Sequence, residues 1–277
     1  MTYKELFEKG KNMLPGEEAS IEAAILLESI LDTNRNDLFL NPDREVSLED
    51  EKIFLSYLER RLTGEPVQYI TGIAPFYGLE LYTDKEVLIP RFDTEVLVEE
   101  ILKVIKPDNS ILDLCTGSGC ILAGVLSNSN NVKATGIDIS DRALNLAKRN
   151  LEKYNLKAEI FKSDLFENVE GKYDIIVSNP PYIESEVIEG LEKQVKEFEP
   201  RLALDGGEDG LIFYRIIVDE AKRFLNINGK LMFEIGYNQG EAVKRLLLDK
   251  GYDQVKIIKD LCGNDRVVTA CHGGNNV

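Results

Sequence analysis

The stretch ILDLCTGSGCIL at residues 111–122 decides the fold, because it joins a buried-strand pattern, a glycine loop and a helix start. The apolar strand ends at Asp113, and the loop that follows contains Gly117 and Gly119. Glycines there let a ligand approach the backbone where a Cβ atom would block it. A dinucleotide-binding G-x-G-x-x-G loop needs a small residue where this chain has Leu122. The loop therefore favours S-adenosylmethionine over a nicotinamide cofactor.

Outward from this loop, strand patterns alternate with helix-period patterns from Thr94 onward, which is typical of a parallel sheet covered by helices. Strands are predicted at 110–115, 133–138, 158–162, 174–178, 230–235, 254–259 and 266–270. Helices are predicted between them, notably at 141–154, 211–225 and 239–249. Only the short link 260–265 separates the last two strands, so we expect them to pair antiparallel at the end of the sheet.

Two further strand ends carry candidate cofactor contacts. Asp138 ends the second strand, where its carboxylate is predicted to accept hydrogen bonds from both ribose hydroxyls. A helix N-cap is the alternative role for this residue. Asp164 and Leu165 follow the third strand, and we expect them to hold the adenine amino group and to pack on the ring, respectively. The alternative for Asp164 is an ordinary turn aspartate.

The fourth strand leads directly into Asn179-Pro180-Pro181-Tyr182, the most specific motif in the chain. An amide nitrogen is a weak nucleophile because its lone pair is delocalised, so its NH2 group must be held for attack. The Asn179 side-chain oxygen and the Pro180 carbonyl are predicted to accept one N–H each, and the prolines to fix that carbonyl. Tyr182 is predicted to form a flat wall beside a planar amide or base. A rigid Asx-Pro turn without a chemical role is the alternative.

The N-terminal part of the chain has helical periodicity and no obvious catalytic residues. Helices are predicted at 3–11, 21–31, 37–40 and 48–62, with Ser47 and Asp50 resembling a capping box before the longest. Between residues 64 and 90, aromatic and β-branched residues with glycine and proline predict a linker followed by a β-hairpin. The sequence thus predicts a small helical domain and an α/β domain joined by a hairpin segment.

Composition excludes several classes of function. With 43% hydrophobic and 30% charged residues and no signal-peptide pattern, the chain is expected in the cytoplasm, without membrane contact. A formal net charge of −16 repels phosphate backbones, so no direct nucleic-acid binding is expected unless a local basic groove exists. The four cysteines lack C-x-x-C spacing and His272 is the only histidine, so we expect no metal site and no histidine base.

Six stretches together resemble a known family: TGEPVQYITG, LIPRFDTEVLVE, DLCTGSGCIL, IVSNPPYI, EPRLALDGGEDGLIFYRII and KDLCGNDRVV. They are similar to the release factor glutamine N5-methyltransferases, also called the HemK or PrmC family, over essentially the whole chain. The motif NPPY alone is shared with methyltransferases that act on the adenine amino group. Its combination with IPR-x-DTE and a helical N-terminal domain is far more restrictive.

This resemblance implies an α/β class I methyltransferase fold, Rossmann-like with a seven-stranded sheet, at residues 93–277. It implies an N-terminal helical substrate-binding domain at 1–70 and a β-hairpin linker at 71–92. The implied reaction moves a methyl group from S-adenosylmethionine, leaving S-adenosylhomocysteine, to the amide N5 of the glutamine in the Gly-Gly-Gln motif of class-one peptide chain release factors. A monomer is expected.

The resemblance also assigns residues to the site. Cofactor contacts are implied for Cys115, Thr116, Gly117, Ser118, Gly119, Asp138, Asp164, Leu165 and Asn179. Substrate contacts are implied for Arg91, Asn179, Pro180, Pro181 and Tyr182. The neighbouring Asp93 and Thr94 are implied to line the mouth of the site.

Three residues depart from the usual family pattern. Cys115 stands where glycine is frequent, Phe92 where proline is frequent, and Leu165 where an aromatic residue often packs on adenine. We expect the first to crowd the loop and the third to weaken stacking. None of them removes a group that the chemistry needs.

Two other functions compete with this interpretation. An adenine N6-methyltransferase acting on DNA or RNA could hold an exocyclic amine with the same four residues, 179–182. The acidic charge and the absence of a basic track argue against it. A non-catalytic binding module that keeps the cofactor fold is the second alternative, and the intact motif argues against that one.

Overall fold

The computed structural model describes residues 1–31, 33, 36 and 40–273. The chain forms two compact units, the smaller made of residues 1–73 and 192–198, and the larger made of the remainder. The helix predicted at 37–40 falls almost entirely outside the described residues. Each unit has an apolar core of its own.

The smaller unit is helical, with α1 (Tyr3–Met13), α2 (Ala19–Leu31), α3 (Leu48–Leu62), α4 (Val67–Thr71) and a short helix at Lys193–Lys196. Its core contains the fully buried residues Leu6, Leu26, Phe54 and Leu58. Ser47 caps α3 by accepting a hydrogen bond from the Asp50 N–H at 3.1 Å. The reciprocal capping box with two side chains is found instead at Thr2 and Glu5 of α1.

Helix α4 lies within the segment that the sequence assigned to a linker. Its residues VQYIT are rich in the β-branched and aromatic types that favour strands. Val67 and Ile70 are nevertheless buried in the core of the smaller unit, and this burial outweighs the local propensity. Gly72 ends the helix with a φ of 74°, the left-handed conformation that glycine adopts readily.

The larger unit begins with the predicted hairpin and continues as an α/β sheet. Its elements are β1 (Ile73–Phe76), β2 (Leu79–Tyr82), α5 (Phe92–Leu102), β3 (Ser110–Leu114), α6 (Cys120–Ser127), β4 (Lys133–Asp138), α7 (Asp141–Lys153), β5 (Ala158–Lys162), β6 (Tyr173–Ser178), α8 (Ile212–Glu220), β7 (Leu225–Glu234), α9 (Gly240–Asp249), β8 (Asp253–Lys259) and β9 (Asp265–Cys271). Strand β7 begins at Leu225, which the sequence assigned to the preceding helix. Leu225 pairs with Tyr173 across a register shift, and this pairing extends the strand.

Seven strands form one sheet in the order β5-β4-β3-β6-β7-β9-β8. Strands β3 to β7 pair in parallel, and β9 runs antiparallel between β7 and β8. The predicted antiparallel pairing of the last two strands is therefore confirmed. The register places Leu114 beside both Ile137 and Ser178, so the carboxyl ends of β3, β4 and β6 lie side by side.

All four cysteines are free thiols. Among the described residues, no three His, Cys, Asp or Glu side chains are grouped so that they could hold a metal ion. In the same part of the chain, no helix has the length and apolar character needed to cross a bilayer.

Candidate active site

A cavity of about 310 Å³ opens at the carboxyl ends of β3, β4, β5 and β6. Small-molecule sites have volumes of roughly 300 to 1,000 Å³. The residues that line it include these predicted site residues: Arg91, Cys115, Thr116, Gly117, Ser118, Asp138, Asp164, Leu165, Asn179 and Pro181. Gly119, Pro180 and Tyr182 are not among its lining residues. The larger unit thus brings most of the predicted set together around one space.

The glycine loop has an unusual backbone. Cys115, Gly117 and Gly119 have φ values of 59°, 54° and 76°. A Cβ atom on Gly119 would lie 3.1 Å from the Cβ of Ala147, so only glycine allows the loop to pack closely on α7. Cys115 occupies the left-handed region that glycine adopts readily, which strains its backbone by about 1 kcal/mol. This geometry is one that glycine would adopt without strain, which agrees with the glycine that the resemblance leads us to expect at position 115.

Asp113 is fully buried beneath the loop. Its Oδ2 accepts a hydrogen bond from the Thr116 hydroxyl at 2.6 Å, and its Oδ1 has no partner within the described part of the chain. Burial raises the pKa of Asp113 to about 7, although the Thr116 hydrogen bond opposes this rise. The sequence identified this residue only as a strand end, and a single acid in an apolar run was the available signal.

Asp138 connects the glycine loop to the start of α7. Its Oδ2 accepts from the Gly117 N–H and its Oδ1 from the Ser140 N–H, both at 2.9 Å. The N-cap of α7 is Ser140, whose hydroxyl accepts from the Ala143 N–H at 3.3 Å. Burial raises the pKa of Asp138, and the two N–H donors oppose that rise. Each carboxylate oxygen keeps a further lone pair for a ligand in the cavity.

The turn after β5 carries Asp164 and Leu165 to the cavity. Asp164 is exposed, and Leu165 has a φ of 44°. The Ser163 hydroxyl donates to the Leu165 carbonyl at 2.7 Å and accepts from the Asn168 N–H at 3.0 Å. Ser163, which the sequence did not single out for a role, therefore holds this turn in place.

The Asn179–Pro180 corner begins where β6 ends. The Asn179 Nδ2 donates to the Thr94 hydroxyl at 3.3 Å. Within the described residues, no hydrogen bond reaches the Asn179 Oδ1 or the Pro180 carbonyl oxygen. Two acceptors on consecutive residues are consequently left without a hydrogen bond within the described part of the chain.

Tyr182 anchors the far end of the corner. Its hydroxyl donates to the Glu234 Oε1 at 3.3 Å, and its carbonyl accepts from the Gln239 Nε2 at 2.9 Å. Its ring packs against the core of the larger unit. Tyr182 therefore fastens the motif to the sheet, whereas the sequence assigned it a place beside the substrate.

Glu234 ends β7 and is buried, with 1% of its surface exposed. Burial raises its pKa to about 7, and the Thr94 hydroxyl and the Arg266 guanidinium oppose the rise. Because Asn179 bonds to Thr94 and Tyr182 bonds to Glu234, both ends of the motif are held near this one carboxyl group. Sequence reasoning missed Glu234, which appears only as one acid in the apolar stretch LMFEI.

Gly206 and Gly210 of the stretch LDGGEDG pack closely against the backbone of Tyr182. A Cβ atom on Gly206 would lie 2.7 Å from the Tyr182 Cα, and one on Gly210 would collide with the Tyr182 carbonyl oxygen. The Gln239 Nε2 also donates to the Gly210 carbonyl at 3.2 Å. This stretch entered the sequence analysis only as part of a resemblance, and its glycines were the signal for close packing.

Arg91 lines the cavity and forms an ion pair with Glu199. The Glu199 side chain is 1% exposed and also accepts from the Ile89 N–H at 3.4 Å. The guanidinium that the resemblance assigns to the substrate thus already has a carboxylate partner. Glu199 was missed by the sequence analysis.

Comparison with known proteins shows which family this chain is similar to. The family model described as the methyltransferase small domain matches residues 91–208, and the one described as the PrmC N-terminal domain matches residues 5–72. A release factor glutamine methyltransferase of Geobacter sulfurreducens is 40% identical over 253 residues, covering 91% of this chain and 89% of that protein. The chain belongs to the release factor glutamine methyltransferase family. Its counterpart in Caulobacter vibrioides is 42% identical over 258 residues, covering 91% of this chain and 89% of that protein.

The fold has a solved counterpart in a methyltransferase of Pyrococcus furiosus. That structure has a TM-score of 0.55 and 21% identity, covering 79% of this chain and 99% of that chain. At this identity the likeness concerns the fold alone. The predicted class I methyltransferase fold, the predicted family and the prediction of an enzyme are confirmed.

Proposed function

We propose that this protein transfers a methyl group from S-adenosylmethionine to the side-chain amide N5 of the glutamine in the Gly-Gly-Gln motif of class-one peptide chain release factors. The names of its relatives support release factors as the substrate. One structural observation carries the chemistry: the Asn179 Oδ1 and the Pro180 carbonyl are two acceptors on consecutive residues that no hydrogen bond within the described residues reaches. An NH2 group has two N–H donors to match them.

The residues around the cavity fit S-adenosylmethionine. The cavity has a volume of about 310 Å³, which suits a small cofactor. Asp138 offers carboxylate lone pairs for ribose hydroxyls, and Gly117 has open space where a side chain would otherwise stand. S-adenosylmethionine would supply an activated methyl group on a sulfonium. The amide nitrogen would bond to that methyl carbon and release one N–H proton to solvent, and S-adenosylhomocysteine would leave as a neutral thioether.

The corner would hold the substrate amide for attack. With one N–H donated to Asn179 Oδ1 and the other to the Pro180 carbonyl, the nitrogen lone pair points away from both acceptors. The Asn179 amide is oriented because its Nδ2 already donates to Thr94. Two successive prolines limit rotation of the backbone, so the Pro180 carbonyl keeps its direction.

The domain roles follow from the same proposal. Residues 1–70 would help to bind the release factor, 71–92 would act as the hairpin linker, and 93–277 would carry out the transfer. We place the protein in the cytoplasm as a monomer without direct contact to nucleic acid. Arg91 would contribute to substrate binding from the wall of the cavity, and Tyr182 would contribute by fastening the corner that holds the amide.

Mass spectrometry of a purified release factor after incubation with S-adenosylmethionine tests the proposal. We expect one added methyl group on the Gly-Gly-Gln glutamine. Asn179→Ala should lower transfer by about 10²- to 10³-fold, because one amide acceptor is lost. Its affinity for S-adenosylhomocysteine should remain close to that of the wild type. An unmodified release factor together with methylated oligonucleotides would establish the adenine methyltransferase instead.

A further inference from the structure

Three large apolar side chains of the larger unit are exposed on segments that converge on one residue. Phe92, Tyr237 and Leu261 are 71%, 68% and 105% exposed. Single exposed apolar residues are ordinary on protein surfaces. These three differ because their segments are tied together, and we refer to them as the apolar patch.

Arg266 ties the three segments together. Its guanidinium pairs with Asp93 at 3.0 Å and Asp260 at 3.2 Å, and it donates to the Ile235 carbonyl at 3.4 Å. Each of these partners lies one or two residues from one member of the apolar patch. Arg266 itself is largely buried, and its charge is balanced by two carboxylates. The three segments that bear the apolar patch thus meet at a charged group that already has its partners.

Two of the segments that bear the apolar patch also carry residues of the site. Phe92 directly follows Arg91, which lines the cavity. Two residues further on, Thr94 accepts the hydrogen bond from Asn179. Tyr237 lies three residues beyond Glu234, which bonds to Tyr182. The segments bearing the patch are therefore continuous with those that hold the corner.

We propose that the apolar patch docks the part of the release factor that surrounds the methylated glutamine, through apolar side chains of that protein. This inference rests on the proposed function. A glutamine within a folded protein can reach the corner only when the surrounding polypeptide covers the surface beside the entrance. Exposed aromatic and aliphatic side chains favour such a partner, because their burial is the main source of affinity at the centre of protein interfaces. A nucleic acid would require a basic surface.

Steady-state kinetics on the intact release factor test this docking surface. The triple variant Phe92→Ser, Tyr237→Ser, Leu261→Ser should raise KM for the release factor by roughly tenfold, with kcat unchanged. Its affinity for S-adenosylhomocysteine should also be unchanged, since no patch residue lines the cavity. The matched control is Ile227→Ser, which removes a 71% exposed side chain near the amino end of β7, whereas the cavity opens at the carboxyl ends of the parallel strands.

The outcomes separate the two proposals. A wild-type KM in the triple variant, or an equal rise in the Ile227 variant, would overturn the docking surface. A wild-type enzyme that leaves the release factor unmodified would overturn the proposed function instead. The single variant Leu261→Ser, at a fully exposed position, keeps the test decisive if the triple variant unfolds, and a KM equal to the wild type would then count against the patch.

Discussion

Asn179 donates its Nδ2–H to the Thr94 hydroxyl at 3.3 Å, and this bond decides which end of the asparagine amide remains available. An asparagine amide has a donor end and an acceptor end of nearly equal shape. Thr94, which is 2% exposed, takes the donor end. The acceptor end is left for a substrate N–H. Thr94, a residue of α5, therefore fixes the orientation of the Asn179 amide.

Replacing Thr94 by valine should therefore impair catalysis without unfolding the protein. Valine keeps the shape but removes the hydroxyl, so we expect kcat to fall roughly tenfold, equivalent to about 1.4 kcal/mol. Thr94→Ser keeps the hydroxyl and should retain most of the activity. The measurement is kcat on release factor, with S-adenosylhomocysteine affinity as a control. Equal losses in both variants would show that the hydroxyl has no part in the effect.

Glycine at position 210 should be required for the corner to form. Gly210→Ala would bring a Cβ atom into the Tyr182 carbonyl, so we expect a loss of about 3 kcal/mol in the free energy of unfolding and a lower kcat. Gly171→Ala is the matched control, because Gly171 also has a positive φ of 82° but has open space around it. That variant should cost only about 1 kcal/mol. Urea unfolding measures the loss in the free energy of unfolding for both variants. Equal losses would show that the contact of position 210 with the Tyr182 carbonyl does not matter.

Glu234 should make stability depend on pH. Its pKa in the folded protein is about 7, above the value of 4.5 for an exposed glutamate, so the folded state keeps a proton that the unfolded state releases. Stability should consequently fall as pH rises from about 4.5 to about 7, by an amount on the order of 3 kcal/mol. Glu234→Gln cannot ionise and should lack this contribution.

Urea unfolding of the wild type and of Glu234→Gln across this pH range isolates the effect. Asp113 also has a raised pKa of about 7 and contributes to the wild-type slope, so only the difference between the two proteins reports on Glu234. As pH rises, we expect the free energy of unfolding of the wild type to fall relative to that of Glu234→Gln. A constant difference would mean that Glu234 is ionised throughout.

Asp138→Ala should weaken binding of S-adenosylhomocysteine by about 1 to 3 kcal/mol, because hydrogen bonds to the ribose are lost. The variant also loses the acceptors for the Gly117 and Ser140 N–H groups. Asp138→Asn keeps one acceptor oxygen and should have an intermediate affinity. Calorimetry measures all three proteins, and a wild-type dissociation constant in the alanine variant would remove Asp138 from the cofactor site.

The sequence was sufficient for the sheet but not for every boundary. Strands β4 and β5 have the predicted bounds, since polar turn residues flank each of these short segments. Helix α4 was missed because four of its five residues have high β-propensity, and the segment is helical only through the burial of Val67, Tyr69 and Ile70. The early start of β7 at Leu225 likewise depends on its pairing with Tyr173, which no local pattern reveals.

In the candidate site too, some residues could be predicted from the sequence and others could not. The glycine loop and the corner were identifiable because each is a contiguous motif with its own backbone requirement. Thr94 and Glu234 were not assigned these roles, because their contacts to Asn179 and Tyr182 join residues more than fifty positions apart in sequence. Such contacts depend on how the strands are arranged, and one sequence carries little trace of them.

The smaller unit has a consequence for how the protein is made, because residues 192–198 belong to it although they are encoded far downstream of residue 73. Domains generally fold in order as they leave the ribosome. Here the first helices emerge early, but their last packing partner arrives only after residues 74–191 have been synthesised. Deleting residues 1–73 would accordingly leave a segment without its native neighbours, so the catalytic part cannot be isolated by one cut in the gene.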